Sequence, residues 1–507
     1  MTPRKPALIV HTFFVPERAE SSSGPTAADP ATDAMRALWA GLAHLGMGEP
    51  IASYPTDLPE IRHSDPTGLR VLAARRRAAP GALYEALAYQ RHDVVGVSVL
   101  LAPNDDGVGW QALSDQWTSN VPPTCGAELG TATIYLGLSD QRRISRFTGR
   151  VANPATWARR LRRQVPEAPD ESTWATSCCR IADRLLLWEL PPIEGYGQRR
   201  QLVLADLTDE PASDRLTWLV DGQVLPPLTR YLLCVAELRH QERVFEAALP
   251  ELRGAVRRAE RACEALADLV READPSKRLL RAATLDLARV QAERGGLVTA
   301  SADAGKMVET VRGIRTNMEA VLGRDLRYRS GGPLDRDRDR AVWLVEQLHT
   351  ELAYVDSTWR KADQLGRLAT AIIDERQRHR QEGLTLVQAS IVGCFLMTLA
   401  AIQSFQYEVP LTGPLVPPLV CVLGILALVL PAAVLRWPRS GVPAPRPHWI
   451  AVGGLALGAA LGWLGSSIGW WQMRGVPAPE TWSVLSAAAG AAVLTLAALA
   501  VFRFRRP

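Results

Sequence analysis

Apolar and polar positions alternate over short periods up to Arg380, and beyond Leu384 the polar positions almost vanish from four long runs. In the first part, β-branched and apolar runs at Ala7–Phe14, Val94–Leu101, Ala132–Leu138, Leu185–Leu190 and Leu202–Ala205 predict strands. Between them, Thr32–Leu45, Gly81–Ala88, Gly109–Trp117 and Pro154–Val165 read as helices. Strands and helices interleaved in this way predict an α+β domain over residues 1–220, with a ferredoxin-like unit, single or doubled, as its candidate arrangement. Glu17–Pro30 is rich in Ser, Ala and Pro and reads as a loop.

Residues 221–380 carry a helical period and almost no strand signal. Phe245, Leu249, Leu252, Val256, Ala259, Cys263, Leu266 and Val270 alternate spacings of four and three, as a heptad seam does. Asp274-Pro275-Ser276 breaks the helix and starts a second, which runs to Leu322 with a weak point at Gly295-Gly296. After a loop at Arg329–Pro333, a third helix is expected, with seam positions Ala341, Val345, Leu348, Leu352, Val355, Trp359, Ala362, Gly366, Ala369 and Ile373. This is an all-α, coiled-coil-like bundle; it either transmits a mechanical signal or merely folds as three antiparallel helices. Asp335–Arg340, which alternates Asp and Arg, is expected to be a solvated helix start with local ion pairs.

The four runs Leu384–Phe405, Leu415–Leu435, Trp449–Trp471 and Trp482–Phe502 contain no Asp, Glu, Lys, Arg or His. Each is long enough to cross about 30 Å of hydrocarbon as a helix, which predicts a four-helix transmembrane module. Arg376, Arg378 and Arg380 precede the first run; Arg436, Arg439 and Arg446 lie between the second and third; and the tail at residues 503–507 carries Arg503, Arg505 and Arg506. The other two links hold only Arg474, so the positive-inside rule places both termini in the cytosol of an inner or plasma membrane. Trp437 and Trp449 would mark the inner interface, and Trp470, Trp471 and Trp482 the outer one. Gly454, Gly458, Gly462, Gly465 and Gly469 repeat small residues along the third run, opposite a small face around Gly490 in the fourth. That face either packs within one subunit or lines a pore in a homo-oligomer. Gln388 and Gln403 are read as interhelical hydrogen bonders. With no ionisable residue at mid-membrane, an ion-coupled carrier is disfavoured.

The net charge of +5 comes largely from arginines flanking the apolar runs, which indicates membrane lipid as a partner and not nucleic acid. The seven cysteines form no C-x-x-C pair, so neither a disulfide framework nor a zinc site is expected, and Cys178 and Cys179 read as buried thiols. Phosphate-binding, dinucleotide-binding, serine-hydrolase and zinc-protease motifs are all absent from residues 1–220. Asp105 and Asp106 lie in a turn-like Pro-Asn-Asp-Asp-Gly stretch, His11 reads as a core histidine, and nothing in their spacing makes a dyad of His63 and Cys125. The expectation is a protein that is not an enzyme, with no cofactor and no metal.

Several stretches carry a family likeness: Ala7 to Pro16, Leu38-Trp39 through Leu45-Gly46-Met47, Leu225 to Leu233 followed by Ala236, Leu238 and Arg239, and a weaker echo at Thr316-Asn317-Met318. They resemble the caspase- and TPR-repeat-associated (CATRA) proteins of actinobacterial conflict systems over residues 7 to 380. Cys234, Val235, Glu237 and His240 depart from the pattern of that family. The resemblance implies a non-catalytic component that works beside a caspase-like protease and TPR proteins in defence or cell death. No catalytic residue is carried over; Arg230 and Tyr231 are the candidates for partner recognition, set against a structural role at a helix start. A long helix entering a membrane hairpin is also similar to CorA-like divalent-cation channels, although Gln406–Pro410 stands where their Gly-Met-Asn signature belongs.

Overall fold

The computed structural model describes residues 4–16, 29–61, 68–105, 107–124, 126–138, 154–166, 177–182, 185–191, 199–206, 212–218, 224–272, 275–329, 331–407, 413–435 and 447–504. The chain forms two compact units: Met1–Arg271 with Ala282–Leu365, and Glu272–Arg281 with Gly366–Pro507.

Among the described residues the first unit is built on one mixed sheet of nine strands: β1 (Arg4–Phe14), β2 (Glu49–Pro50), β3 (Arg70–Arg77), β4 (Leu83–Arg91), β5 (Val94–Ala102), β6 (Gly130–Leu138), β7 (Cys178–Ile181), β8 (Leu185–Glu189) and β9 (Arg199–Asp206). Their spatial order is β2-β3-β4-β5-β1-β6-β9-β8-β7. Helix α1 (Pro30–Gly41) follows β1, and α2 (Trp110–Asn120) follows β5. Strands β6-β1-β5-β4 are mutually antiparallel and connected as a β-α-β-β-α-β unit. The second half does not repeat this pattern, because β9 pairs with β6 in parallel. A parallel neighbour requires a crossover, here supplied by α3 (Pro154–Leu161) and the β7–β8 hairpin.

The central strands are apolar on both faces because both faces are covered. Leu8, Val10 and Phe14 of β1 pack under Met35, Leu38 and Trp39 of α1 and Trp110 of α2. Ile9 and Phe13 point the other way, into a core shared with Leu228, Leu232 and Val235 of α5 (Pro227–Arg271). Helix α1 starts where Asp29 accepts the Ala31 and Thr32 amides, with Pro30 at the first position.

Gly81–Ala88, expected to be helical, is instead mostly β4. Its Ala, Leu and Glu favour a helix, but pairing with β3 and β5 buries Tyr84, Ala86 and Ala88 on one face and Leu87 and Tyr89 on the other. Strand β3, whose short Val71–Ala74 apolar run is followed by three arginines, was not among the expected strands.

After α4 (Ala212–Thr217) and α5 come α6 (Lys277–Ala292) and α7 (Leu297–Val321), parted at Gly295-Gly296, and then α8 (Gly332–Tyr407). Helix α8 buries Ala341, Leu348, Val355, Ala362 and Ala369, one per heptad. Of the alternate seam positions Val345 and Ile373 are buried as expected, but Leu344, Glu351 and Thr358 are buried as well and Trp359 is 45% exposed. Polar side chains thus occupy two of the inward positions, which an apolar pattern search passes over. Residues Asp335–Arg340 also differ from a solvated helix start, because Asp337 is only 3% exposed.

In the second unit, α9 (Val416–Leu435), α10 (Pro447–Arg474) and α11 (Glu480–Phe504) follow α8. Among the described residues two helical stretches, Ala451–Arg474 and Glu480–Ala497, are long and apolar enough to cross a membrane; Ile391–Ser404 and Gly413–Val429 are shorter apolar helices. Gln388 and Gln403 are exposed. Trp470 and Trp482 meet at 6.0 Å where α10 passes to α11, with Arg474 over the Trp470 ring. The linker carrying Trp437 and three arginines and the tail at 505–507 lie outside the described residues.

Candidate functional site

On β9, Arg200 shares a face with Leu202 and Leu204; on β8, Glu189 shares the same face with Leu185 and Leu187. The antiparallel register pairs Glu189 with Leu202, so Arg200 is its diagonal neighbour. The Arg200 Nε donates to Glu189 Oε1 at 2.6 Å and its Nη2 to Oε2 at 3.2 Å, a bidentate pair.

Two helices complete the cluster. From α8, Asp337 Oδ2 lies 2.7 Å from Arg200 Nη2 and accepts the Tyr231 hydroxyl of α5, also at 2.7 Å. Arg239, two turns beyond Tyr231, donates from Nη2 to Glu189 at 3.2 Å and lies 3.7 Å from Asp337. Arg336 reaches Glu189 Oε2 at 3.2 Å. Around them Arg340 pairs with Glu242 at 2.6 Å, and Asp335 accepts from the Tyr328 hydroxyl and the Gly331 amide.

Burial opposes the charged form of Glu189, but Arg200, Arg239 and Arg336 outweigh it and hold its pKa below the usual carboxylate value. Burial likewise opposes charge on Arg200, and Asp337 and Glu189 overcome it, so its pKa rises. Tyr231 is pushed well above its ordinary value, first by burial and then by Asp337. These shifts hold Glu189 and Arg200 in their charged forms and Tyr231 in its neutral form.

Of the two candidates for partner recognition, Tyr231 is fully buried and its hydroxyl donates to Asp337. Arg230 is half-buried and bonds Asp325 at 2.8 Å, fastening α5 to the turn after α7. His11, on β1, lies 2.7 Å from Ser98 Oγ through Nδ1 and 3.4 Å from Thr229 Oγ1 through Nε2. Burial lowers its pKa to about 3, and it is a core histidine. Asp105 is exposed and caps its own turn through the Gly107 amide. Asp106, His63 and Cys125 lie outside the described residues. Burial pushes the half-buried Cys178 thiol up to about 12 and the Cys179 thiol up as well, so neither is a thiolate at neutral pH.

Sequence reading missed Arg200, Glu189, Asp337 and Arg239. The one available signal was a charge in the inward phase of a strand, at Glu189 after Leu185 and Leu187 and at Arg200 before Leu202.

The glycines of α10 divide into two groups. A Cβ at Gly458 or Gly462 would strike the α11 backbone at Gly490 or Ser486, and Gly454 faces Thr495. Gly465 and Gly469 have nothing within 4 Å of an added Cβ. Gly458→Leu should loosen α10 from α11 by at least about 3 kcal/mol, the upper end for overpacking, because backbone cannot yield as a side chain can. Gly465→Leu should be nearly neutral. Thermal unfolding of the two variants in the same detergent compares them, and equal losses would refute this packing.

Residues 7–221 match the family model of the CASPASE and TPR Repeat-Associated N-terminal domain, and residues 226–362 match that of the corresponding C-terminal domain. The chain belongs to the CATRA family. No curated protein matches it significantly. The ion network takes its meaning from the boundary between the two domains. Glu189 and Arg200 belong to CATRA-N; Tyr231, Arg239, Arg336 and Asp337 belong to CATRA-C. The two share a hydrophobic core as well, so CATRA-N and CATRA-C form one folded body in this protein. The long apolar helices lie beyond both matches.

Proposed function

We propose that this CATRA protein is a non-enzymatic, membrane-anchored sensor or adaptor of a bacterial conflict system, working with a caspase-like protease and TPR proteins. The names of its two domains support the protease and TPR association. The membrane part rests chiefly on where the apolar side chains of the second unit point. Of the windows in Ala451–Arg474 and Glu480–Ala497, only 17% and 6% are buried, leaving Leu455, Val484, Leu485, Val493 and Leu496 exposed. The core helix of a water-soluble protein hides such residues, whereas a lipid-facing helix presents them. The shorter apolar helices support a module of four helices, and the arginine pattern supports cytosolic termini. In this reading the CATRA body binds its partners on the cytosolic face, while the apolar helices hold it at the membrane.

Full-length protein expressed in a bacterial host should stay with the membrane through carbonate and high-salt washes and come off only in detergent. A chain ending at Leu365 should be released to the soluble fraction. Full-length protein recovered folded in the carbonate supernatant would sink the proposal.

A further inference from the structure

At the seam between the sheet and α5, a small cavity of about 20 Å³ is walled by Phe13, Leu232 and Val235 together with Arg200, Arg239 and Arg243. Three guanidinium side chains line it, and no carboxylate among the described residues does. Glu189 and Asp337, the carboxylates of the ion network, bond Arg200 and Arg239 without lining the cavity. Glu189 and Asp337 take up Nε and Nη2 of Arg200 and Nη2 of Arg239. That leaves Arg200 Nη1 and Arg239 Nε, both buried, with no hydrogen-bond partner. Arg200 is 5% exposed, and a buried guanidinium N–H without an acceptor costs about 1–3 kcal/mol or more. Arg243 is fixed beside the cavity by its bond to the Leu129 carbonyl at 3.0 Å.

The local charge points the same way. Three arginines (200, 239 and 336) stand against the two carboxylates of Glu189 and Asp337, while Arg243 at the edge also feels Glu128 and Glu242. Burial, and then the neighbouring Arg200, lower the pKa of Arg239; burial lowers that of Arg243 against the opposing pull of Glu128, with Arg239 adding to the lowering. A negative charge in the cavity would satisfy the open donors and offset this repulsion. A volume of this order holds about one solvent-sized species, which excludes sulfate, phosphate and larger organic anions.

We propose that this cavity is a monatomic anion site, taking chloride, in which Arg200 and Arg239 are the buried donors and Arg243 stands at its edge. The ion joins a CATRA-N strand to a CATRA-C helix at the point where their arginines repel, and it acts as a structural ligand of the fold. This site is independent of the membrane and partner roles proposed above.

Two measurements on the full-length protein in detergent test it. In crystals soaked in sodium bromide, an anomalous bromine peak should lie between the Arg200 and Arg239 guanidinium groups. In solution, the unfolding midpoint should rise with the logarithm of chloride or bromide concentration, and much less in sodium gluconate of equal ionic strength. Arg239→Gln should remove that difference. No anomalous peak in the cavity, with chloride and gluconate equivalent, would mean a water or nothing occupies it and would overturn the proposal. That result does not depend on whether the Arg239 variant folds.

Discussion

Asp337→Ala is expected to destabilise the CATRA body by about 3–5 kcal/mol, a large part of the total stability of a domain. Removing this carboxylate leaves Arg200 with Glu189 as its remaining counter-ion, in a site where Arg239 and Arg336 crowd the same glutamate. It also strips the acceptor from the fully buried Tyr231 hydroxyl. The cost arises from uncompensated burial and exceeds the worth of any one ion pair. Two residues along, Asp339 is 75% exposed at its side chain and lies 4.0 Å from Arg338. Asp339→Ala should therefore change stability by less than about 0.5 kcal/mol. Urea unfolding of both variants, followed by tryptophan fluorescence, makes the comparison. Equal and small effects would show that Asp337 does not hold the two domains together.

Acidification should weaken the fold through His11, with a full effect of roughly 5 kcal/mol for a shift from the ordinary 6.5 to about 3. The folded state keeps the ring neutral, while the unfolded chain takes up a proton once the pH falls below about 6.5. Between those values the unfolded state binds more protons, so stability falls as pH falls and the loss is complete below the folded pKa. Glu189 acts in the same direction at lower pH. Its depressed pKa stabilises above the ordinary carboxylate range, and that contribution is lost as pH drops through the folded value. Substituting His11→Gln separates the two. The wild type should lose stability relative to the variant between pH 6.5 and about 3, and the difference should level off only below that. A wild type and variant with parallel pH profiles would show that His11 is not held neutral.

These predictions concern residues that the sequence marks unequally. The strand runs at Ala7–Phe14 and Val94–Leu101 were legible because strands covered on both faces are apolar throughout, and that signal survives without knowledge of the fold. The break at Gly295-Gly296 and the apolar helices were legible for similar local reasons. Gly81–Ala88 misled because a helix-favouring composition can be overruled by two flanking strands. Trp359 misled because its size and spacing suit a seam that in fact buries Thr358.

What the sequence alone determined is local: strands, helix breaks, long apolar runs and the short patches that mark the CATRA family. All of these depend on neighbours within a few turns or on the solvent that a run requires. Only the tertiary structure decided that Glu189, Arg200, Tyr231, Arg239 and Asp337 would meet, since they come from two strands and two helices, up to 148 positions apart in the chain. It also decided that Tyr231 faces inward and that Gly458, unlike Gly465, touches another helix. A charged side chain becomes a buried counter-ion only when a partner far along the chain arrives to meet it, and a period of two or of three and a half carries no record of that partner.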